Sequence, residues 1–496
     1  MGVMKQYILS IDQGTTSSRA ILVNAKGEAV FKAQRPLDLI YPKPGWVEVD
    51  PDRVWISVVD VINEVLILGD ITMGEVAAIG ITDQRETTIV WAKSTGQAVH
   101  NGIVWQSKQT QALCDERMDK MDFIQEKTGL RMNPYFSASK IRYILDHIPN
   151  GQERAERGEL LFGTIDAWLI YKLTHGNHYT DVSNASRTML FNIFSMQWDK
   201  ELCDLWNIPM AMLPEVKDNS ADFGEAKFFD GHVHVHGVAG DQQAALFGQC
   251  CFHKGESKNT YGTGCFMLMN IGETPILSKR GLLTTVAWRE KGITTYALEG
   301  SVFIGGAVVQ WLRDQTRWFE DSGDSEMYAK KCKDSAGIYF VPAFVGLGTP
   351  WWDDEARGAI FGITRGAERH HITRAGLESI AYQSKDVIET MKEEAGLELK
   401  ALRVDGGASA NGLLMQFQAD ILQCEVHMPN CLETTALGAA YFAGLGCGFW
   451  KDKKEIETNH AIAKTFVPAM DEEEVKRRYK GWLSAVKATR AFKPEE

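Results

Sequence analysis

Residues 11–18 read IDQGTTSS, and residues 259–264 read NTYGTG. Each stretch follows or lies within an apolar segment with the composition of a β-strand. Each places glycine where the chain must turn tightly, beside hydroxyl side chains that can contact an anion. The first stretch also has a carboxylate, Asp12, at the end of its predicted strand. Two such turns in one chain predict two similar domains that close on one polyphosphate.

The size and charge of the chain limit the classes of protein to consider. At 496 residues it exceeds the roughly 300 residues at which single cores stop growing, so two or more domains are expected. The net charge of −12 argues against binding of nucleic acid or a membrane surface, because such partners need a basic face. The most apolar run, residues 54–73, contains acidic and amide side chains, so it predicts a buried amphipathic helix and no membrane insertion.

The nine cysteines are scattered along the chain. None forms a C-x-x-C motif, and the adjacent pair Cys250 and Cys251 lacks the spacing of metal ligands. This pattern is typical of reduced thiols and predicts a cytoplasmic protein.

The order of predicted elements is similar in the two halves of the chain. Each half contains a strand, a glycine-threonine turn, two further strands and a helix. Strands are predicted over residues 6–10, 19–23, 28–34, 76–82, 257–261, 266–270, 283–287 and 293–298, and helices over 51–68, 108–121, 138–147, 165–173 and 302–316. The sequence therefore predicts an α/β protein with one domain over 1–249 and another over 250–496.

No common nucleotide-binding motif explains where a phosphate would bind. The sequence has no G-x-x-x-x-G-K-[ST] loop, no G-x-G-x-x-G after a strand and no H-E-x-x-H cluster. A phosphate site must then come from the glycine-threonine turns, with Asp12 placed to hold Mg²⁺ and Arg19 able to neutralise a phosphate. The alternative for the first turn alone is an ordinary hairpin.

A third glycine-rich turn reads VDGGASAN over residues 404–411 and leads from a strand into a helix predicted over 412–421. Its backbone at Gly406 and Gly407 can lie flat against an adenine ring or a phosphate, and Asn411 can bond the base. A plain strand-to-helix turn is the alternative.

Two further motifs place charged side chains beside small or apolar residues. Residues 239–245 read AGDQQAA, where Asp241 is either a helix N-cap or a general base that accepts a hydroxyl proton. Residues 82–87 read TDQRET, where Arg85 and Glu86 form either a surface ion pair or a clamp for neighbouring hydroxyls.

Three histidines alternate with valine over residues 232–236, at the spacing that places them on one face of a strand. The sequence shows no cysteine or carboxylate at a spacing that matches His232, His234 and His236 as metal ligands. We therefore expect an exposed loop here rather than a metal site.

Taken together, the motifs resemble the FGGY carbohydrate kinases of the actin, hexokinase and Hsp70 superfamily, and among them the kinases of glycerol. The resemblance spans nearly the whole chain. It is carried by SIDQGTTSSR (10–19), QRETT (84–88), NGIVWQ (101–106), PYFSASK (134–140), DVSNASRTML (181–190), GDQQAALFGQ (240–249) and TYGTG (260–264). It implies two RNase H-like domains, each a mixed sheet flanked by helices, with a cleft between them.

The resemblance also implies an activity and a role for each matching residue. The activity is ATP-dependent phosphorylation of glycerol to sn-glycerol 3-phosphate, with Mg²⁺ as cofactor and a homodimer or homotetramer as the assembly. Asp241 would be the base and Asp12 the metal ligand. The glycerol site would comprise Arg85, Glu86, Trp105, Tyr135, Asp241, Gln242 and Phe266. The nucleotide and its phosphates would be held by Thr15, Thr16, Ser17, Arg19, Thr263, Gly306, Gln310, Gly407 and Asn411.

Some positions depart from the family pattern, and two other functions stay open. Asp83 stands where asparagine is more usual, and Ser107 where aspartate is common. Residues 228–236 contain neither the His-x-Tyr-Gly context of a phosphorylated loop nor a basic bisphosphate loop, so neither mode of regulation is expected. The alternatives are an FGGY kinase for a pentulose or a tetritol, and a non-catalytic ATP-dependent clamp.

Overall fold

The computed structural model describes residues 5–493, in which strands and helices alternate along the chain. The strands of the first half are β1 (Tyr7–Gln13), β2 (Ser17–Asn24), β3 (Ala29–Pro36), β4 (Glu48–Val49), β5 (Val76–Asp83), β6 (Ile89–Ala92), β7 (Gly102–Ile103), β8 (Leu160–Gly163), β9 (Tyr179–Asp181), β10 (Phe191–Asn192), β11 (Gln197–Trp198), β12 (Glu215–Lys217), β13 (Gly224–Glu225) and β14 (His234–Gly240). Its helices are α1 (Pro51–Gly69), α2 (Gln111–Asp115), α3 (Met121–Thr128), α4 (Ser137–His147), α5 (Gly151–Glu156), α6 (Ile165–Thr174), α7 (Val182–Ala185), α8 (Lys200–Leu205) and α9 (Asp241–Gly248).

The second half is built in the same way. Its strands are β15 (Ser257–Tyr261), β16 (Cys265–Gly272), β17 (Leu283–Glu290), β18 (Ile293–Val302), β19 (Tyr339–Val341), β20 (Ala359–Phe361), β21 (Ala401–Asp405), β22 (Glu425–Pro429) and β23 (Ile462–Phe466). Its helices are α10 (Ala307–Asp314), α11 (Asp324–Ala329), α12 (Arg369–Ala395), α13 (Gly412–Leu422), α14 (Thr434–Cys447), α15 (Lys453–Asn459) and α16 (Glu472–Ala491).

Each half contains one large mixed sheet with the same central strand order. The first sheet runs β13-β14-β5-β1-β2-β3, and the second runs β17-β18-β16-β15-β21-β22-β23. In the first, β1 pairs antiparallel with β2 and parallel with β5, which pairs parallel with β14. In the second, β15 pairs antiparallel with β16 and parallel with β21, which pairs parallel with β22. The predicted α/β fold of two RNase H-like sheets is therefore confirmed.

The two glycine-threonine turns occupy equivalent places in these sheets. The first joins β1 to β2, whose register pairs Asp12 with Arg19, and the second joins β15 to β16. The sequence predicts residues 283–287 as the third strand of the second repeat. In the structure that strand, β17, is an added edge strand, and β18 takes the place that β3 has in the first sheet.

The start of helix α1 is set by its capping residues, and its orientation is set by its apolar face. The Asp50 side chain accepts from the backbone N–H groups of Asp52 and Arg53, and Pro51 occupies the first turn, where it costs no hydrogen bond. The helix packs on β2 and β3. Its buried side chains repeat every three or four residues and include Val54, Val58, Val61, Ile62 and Val65.

Two helices join the halves at the centre of the molecule. Helix α14 belongs to the second half of the chain, yet it packs on β1, β5 and β14 of the first sheet as well as on α9. The approach of α9 and α14 requires glycine, because a Cβ atom at Gly438 would overlap the carbonyl group of Ala244, and one at Gly248 would overlap that of Thr434. The base of the cleft is therefore a close-packed helix pair.

Two predicted helices differ from the structure. Residues 108–121 form the short helix α2 and a 3-10 turn before α3 begins at Met121. The helix predicted over 302–316 begins only at Ala307. The reason is that β18 continues to Val302 and that Gly305 and Gly306 donate their N–H groups to the second glycine-threonine turn. Among the described residues, no helix has the length and apolar character needed to cross a bilayer.

Candidate active site

The first glycine-threonine turn is a tight hairpin whose hydroxyls are tied to neighbouring side chains. The N–H of Gly14 donates to the carbonyl of Ser17 at 2.9 Å and closes the turn. Thr15 Oγ1 accepts from Trp105 Nε1 at 2.9 Å, and Ser17 Oγ accepts from Gln34 Nε2 at 3.1 Å. Thr16 is exposed. The turn thus presents its hydroxyls at the end of β1, and Trp105 connects it to the region predicted to bind glycerol.

Asp12 lies at the end of β1 among charges from three parts of the chain. Arg19 Nη1 lies 3.4 Å from Asp12 Oδ2 and 3.3 Å from Glu433 Oε2. Burial raises the pKa of Asp12 to about 6, because the Arg19 charge that lowers it is opposed by Asp241 and Glu433. Glu433 comes from the start of α14 and was not identified from the sequence. Two carboxylates, those of Asp12 and Glu433, thus share one arginine, which is an environment that a divalent cation would stabilise.

The second and third glycine-rich turns pack against each other. The carbonyls of Gly262 and Thr263 accept from Gly306 N and Gly305 N, each at 2.8 Å. A Cβ atom at Gly406, whose φ is +84°, would lie 2.6 Å from the carbonyl oxygen of Tyr261, so this close approach requires glycine. Thr263, Gly306 and the third turn therefore lie together.

The remaining predicted nucleotide residues surround this junction. Gly407 is exposed, with open space where a side chain would project. Asn411 Oδ1 caps α13 by accepting from the Leu414 N–H at 3.0 Å. Gln310 lies exposed on α10, one turn after Gly306. This surface has the flat backbone and the polar groups that an adenosine requires.

Asp241 lies where β14 ends and α9 begins. It is the first residue of the helix, whose N-cap is Gly240, so the N-cap alternative is wrong. Its Oδ1 accepts from the Gln242 N–H at 2.7 Å and lies 3.3 Å from Arg85 Nε. Its side chain is 31% exposed, so the carboxylate can reach a molecule in the cleft.

Arg85 and Glu86 belong to a buried network of charges, so the surface ion pair alternative is wrong. Arg85 Nη1 and Nη2 donate to the two oxygens of Glu299 at 2.7 and 2.9 Å. Arg187 Nε donates to Glu86 Oε1 at 2.6 Å, and Arg187 Nη2 donates to Glu299 Oε1 at 3.1 Å. All four side chains are at most 2% exposed. The network connects the first half of the chain to β18 of the second half.

The two glutamates of this network differ in their pKa. Burial raises the pKa of Glu86, since the nearby arginines only partly offset the loss of hydration. Burial would also raise the pKa of Glu299, but Arg187 and Arg85 outweigh it and lower this pKa to about 2. Glu299 is therefore a fixed negative charge that orients both guanidinium groups.

Two of the aromatic side chains predicted for the glycerol site, Trp105 and Tyr135, are in contact. The rings of Trp105 and Tyr135 meet edge to face at a centroid distance of 5.5 Å, and Tyr135 Oη lies 3.5 Å from Arg85 Nη2. Buried Lys140 donates to the carbonyls of Pro134, Tyr135 and Phe136 at 2.6, 2.5 and 3.0 Å, and so fixes the loop that carries Tyr135. Phe266 is half-buried on β16 of the second sheet, opposite Ser301.

Sequence reasoning missed several residues that hold this site. Arg187 lay in a recognised motif without an assigned role, and Gln243 accepts from Arg85 at 3.1 Å. Lys258 is fully buried and donates to Gln242 Oε1 and to Thr260 Oγ1. One feature of the sequence could have identified Glu299: it is the single charged residue in the apolar strand ITTYALEGSV. A charge within a buried strand needs a partner, which the sequence does not identify.

Glu299→Gln is expected to lower the thermal unfolding midpoint by several degrees. Removal of one member of a buried ion network typically costs about 3–5 kcal/mol, because the remaining charges stay buried without compensation. Since the pKa of Glu299 is lowered, its contribution is complete above pH 4.5 and is lost as the pH falls towards 2, so the two midpoints should converge in acid. Thermal shift measurements test this, with exposed Glu116→Gln as control. Equal unfolding midpoints of Glu299→Gln and the parent protein at neutral pH would show that Glu299 is not needed for stability.

The fold and the site together define a class. The structure has two RNase H-like sheets with paired glycine-threonine turns, which face a carboxylate and a buried arginine clamp. This arrangement is typical of an actin/hexokinase-like two-domain protein.

Comparison with known proteins narrows this class to a family. A model of the N-terminal domain of the FGGY family of carbohydrate kinases matches residues 7–248, and one of its C-terminal domain matches residues 257–447. The chain belongs to the FGGY family of carbohydrate kinases.

Curated glycerol kinases of Bacillus cereus (strain AH187) and Bacillus thuringiensis subsp. konkukian are each 54% identical to the chain over 496 residues, which is 99% of this chain and all of theirs. The crystal structure of Plasmodium falciparum glycerol kinase with ADP covers 99% of both chains, with a TM-score of 0.92 and 37% identity. A gluconate kinase from Lactobacillus acidophilus, at 22% identity and a TM-score of 0.88 over 98% of both chains, shares the fold.

Proposed function

We propose that the protein phosphorylates glycerol with ATP and forms sn-glycerol 3-phosphate. The observation that carries this proposal is the position of Asp241, whose carboxylate lies 3.3 Å from a buried arginine and is partly open to the cleft. The similarity to curated glycerol kinases over the full length supports glycerol as the acceptor. The similarity to the Plasmodium falciparum glycerol kinase solved with ADP supports ATP as the donor.

The chemistry follows from the arrangement of the charges. Asp241 would accept the proton of a terminal hydroxyl while its oxygen attacks the γ-phosphorus of ATP in line with the departing ADP. Arg85 and Glu86 would bond the remaining hydroxyls, and Trp105, Tyr135 and Phe266 would pack against the carbon atoms. Gln242 is tied to the second sheet by Lys258, so closure of the halves would fix the acceptor and exclude water.

The nucleotide would lie across the turns of both halves. Its phosphates would contact Thr15, Thr16, Ser17 and Arg19 at the first turn and Thr263 at the second. The adenosine would rest near Gly306, Gln310, Gly407 and Asn411. The packing of the second turn on the third supports this placement, because it brings together residues that are far apart in the sequence.

The residues around Asp12 fit a magnesium ion. The site offers the buried carboxylate of Asp12 under the influence of the negative charges of Asp241 and Glu433, and carboxylate oxygens are the ligands that Mg²⁺ prefers. When bound, the ion would neutralise part of the charge of the phosphates. Asp12 would hold it, and Arg19 would remain free to contact a phosphate.

Asp12→Asn is expected to weaken divalent metal binding in the presence of ADP by roughly 10- to 100-fold, since an amide replaces the carboxylate that holds the ion. Titration of Mn²⁺ followed by electron paramagnetic resonance measures this without reference to turnover. Exposed Asp60→Asn on α1 is the matched control. An unchanged Mn²⁺ affinity in Asp12→Asn would show that the ion is held elsewhere.

A substrate panel with coupled ADP detection separates the proposed function from its alternatives. Glycerol should give the highest kcat/KM, ahead of xylulose, gluconate and a tetritol. A higher kcat/KM for a sugar would favour another FGGY kinase. ADP release that no acceptor stimulates would favour an ATP-dependent clamp.

Three finer features remain proposals. We propose a domain boundary at residues 249/250, just after α9, and a homo-oligomeric assembly, a dimer or a tetramer.

All nine cysteines lie in the described part of the chain as free thiols, which fits a reducing compartment such as the cytoplasm.

A further inference from the structure

Two of the three alternating histidines, His234 and His236, are part of a strand, and only His232 lies in the exposed segment that the sequence predicted. His234 and His236 lie on β14, two residues apart, so both side chains emerge from the same face of the sheet. Their rings stack with centroids 5.7 Å apart and an interplanar angle of 18°. Val235 between them is fully buried on the other face. The packing of Val235 therefore fixes the direction of both imidazoles.

The hairpin that precedes β14 supplies the carboxylate that the sequence pattern lacked. Strand β13 pairs antiparallel with β14, with Gly224 opposite Val235. This pairing brings Asp222 alongside the histidines, with its Oδ1 2.9 Å from His234 Nδ1. One potential ligand atom from each of Asp222, His234 and His236 lies within 4.8 Å of the other two. Three donors at such distances can converge on one ion.

His236 has an unsatisfied polar atom at this place. Its Nδ1 is shielded from solvent and has no hydrogen-bond partner among residues 5–493. A buried nitrogen without a partner is costly, and a bound ion would supply one. Burial also lowers the pKa of His236, which favours the neutral imidazole that metals bind.

We propose that Asp222, His234 and His236 form a binding site for a divalent transition metal of the zinc type, with water completing the coordination. Two imidazoles and one carboxylate suit Zn²⁺ and Co²⁺, whereas Mg²⁺ prefers oxygen ligands alone. The site is separate from the Asp12 region. His236 lies four residues before Gly240, the last residue of β14, which places it about 13 Å from that end of the strand at about 3.3 Å per residue, and Asp241 follows there at the start of α9. The proposal is independent of the function proposed above.

The neighbouring residue His232 provides a control within the same motif. Its side chain is 94% exposed, and its Nδ1 pairs with Glu225 Oε1 at 2.5 Å. Its φ of 52° is left-handed, a conformation that asparagine tolerates well. His232→Asn should therefore preserve both the backbone and the proposed site.

The test is calorimetric titration of the full chain with Zn²⁺ after removal of bound metal, in excess Mg²⁺ and ADP to fill the catalytic cleft. We expect one equivalent of Zn²⁺ to bind to this site. We expect His234→Asn and His236→Asn each to weaken its binding by at least roughly tenfold. Co²⁺ should give a visible ligand-field spectrum in the parent protein that is lost in these variants. His232→Asn should behave like the parent protein in both measurements.

Kinase activity of the variants, measured with Mg²⁺, reports whether each is folded. If either histidine variant is inactive, Asp222→Asn, which changes an exposed side chain, replaces it in the comparison. The proposal is overturned if the parent protein binds no Zn²⁺ at this site, or if folded variants retain the parent affinity. It is also overturned if His232→Asn weakens binding as much as His236→Asn, because the histidines would then bind metal as a diffuse patch.

Discussion

Replacement of Asp241 by asparagine is expected to lower kcat for glycerol phosphorylation by roughly 10²–10⁴-fold, the range typical of a lost general base. The amide keeps the shape of the side chain and can still accept a hydrogen bond from the Gln242 N–H. It cannot accept the proton of the attacking hydroxyl. The affinity for ADP should stay close to that of the parent protein, since the predicted adenosine contacts lie on the second half of the chain.

Two measurements make this prediction specific. ADP titration establishes that Asp241→Asn is folded and binds nucleotide. Asp241→Glu keeps a carboxylate but moves it by one methylene, and should retain more turnover than the asparagine variant. If Asp241→Asn keeps more than about a tenth of the parent kcat, which corresponds to less than about 1.4 kcal/mol of barrier, Asp241 is not the base.

Replacement of Arg85 by alanine should raise the KM for glycerol by roughly 10- to 100-fold, since a charge-assisted hydrogen bond contributes about 1.5–3 kcal/mol. The structure adds a second effect. Arg85 is a partner of Glu299 and lies 3.3 Å from Asp241, so its loss also disturbs the base and the connection between the halves. A fall in kcat should accompany the rise in KM, whereas the KM for ATP should change far less.

Arg85→Lys separates charge from geometry. Lysine keeps the positive charge but cannot donate to both oxygens of Glu299 as the planar guanidinium does. We expect its KM for glycerol to lie between those of the parent protein and Arg85→Ala. An equal rise in the KM values for glycerol and ATP in Arg85→Ala would show that the residue supports the structure and does not bind the acceptor.

Much of the fold could be predicted from local patterns. The glycine-threonine turns, the strands beside them and the cap of α1 each depend on residues close together in the sequence. The packing of α14 on the first sheet could not be predicted, because it depends on small residues such as Gly438 that fit against a helix far away in the chain. The added edge strand β17 (LTTVAWRE) has β-strand character like β18 (ITTYALEGSV), so composition does not show which of the two takes the place that β3 has in the first sheet.

The candidate site could also be predicted only in part from the sequence. Motifs identified Asp12, Arg85 and Asp241, because glycine and charge beside a strand end are visible in the sequence. The partners that orient them were not visible, since Glu299 is 214 residues from Arg85. The histidine motif shows the same limit. Its face was predicted from the spacing, but Asp222 becomes its neighbour only through the pairing of β13 with β14.

The most direct test of the proposed activity is phosphorus-31 magnetic resonance of the products formed from Mg-ATP, with and without glycerol. The proposal predicts stoichiometric ADP and one phosphomonoester, identified as sn-glycerol 3-phosphate by a stereospecific dehydrogenase, and little ADP when glycerol is omitted. Inorganic phosphate as the main product, or ADP formed equally fast without glycerol, would contradict the claim that this cleft transfers phosphoryl groups to glycerol.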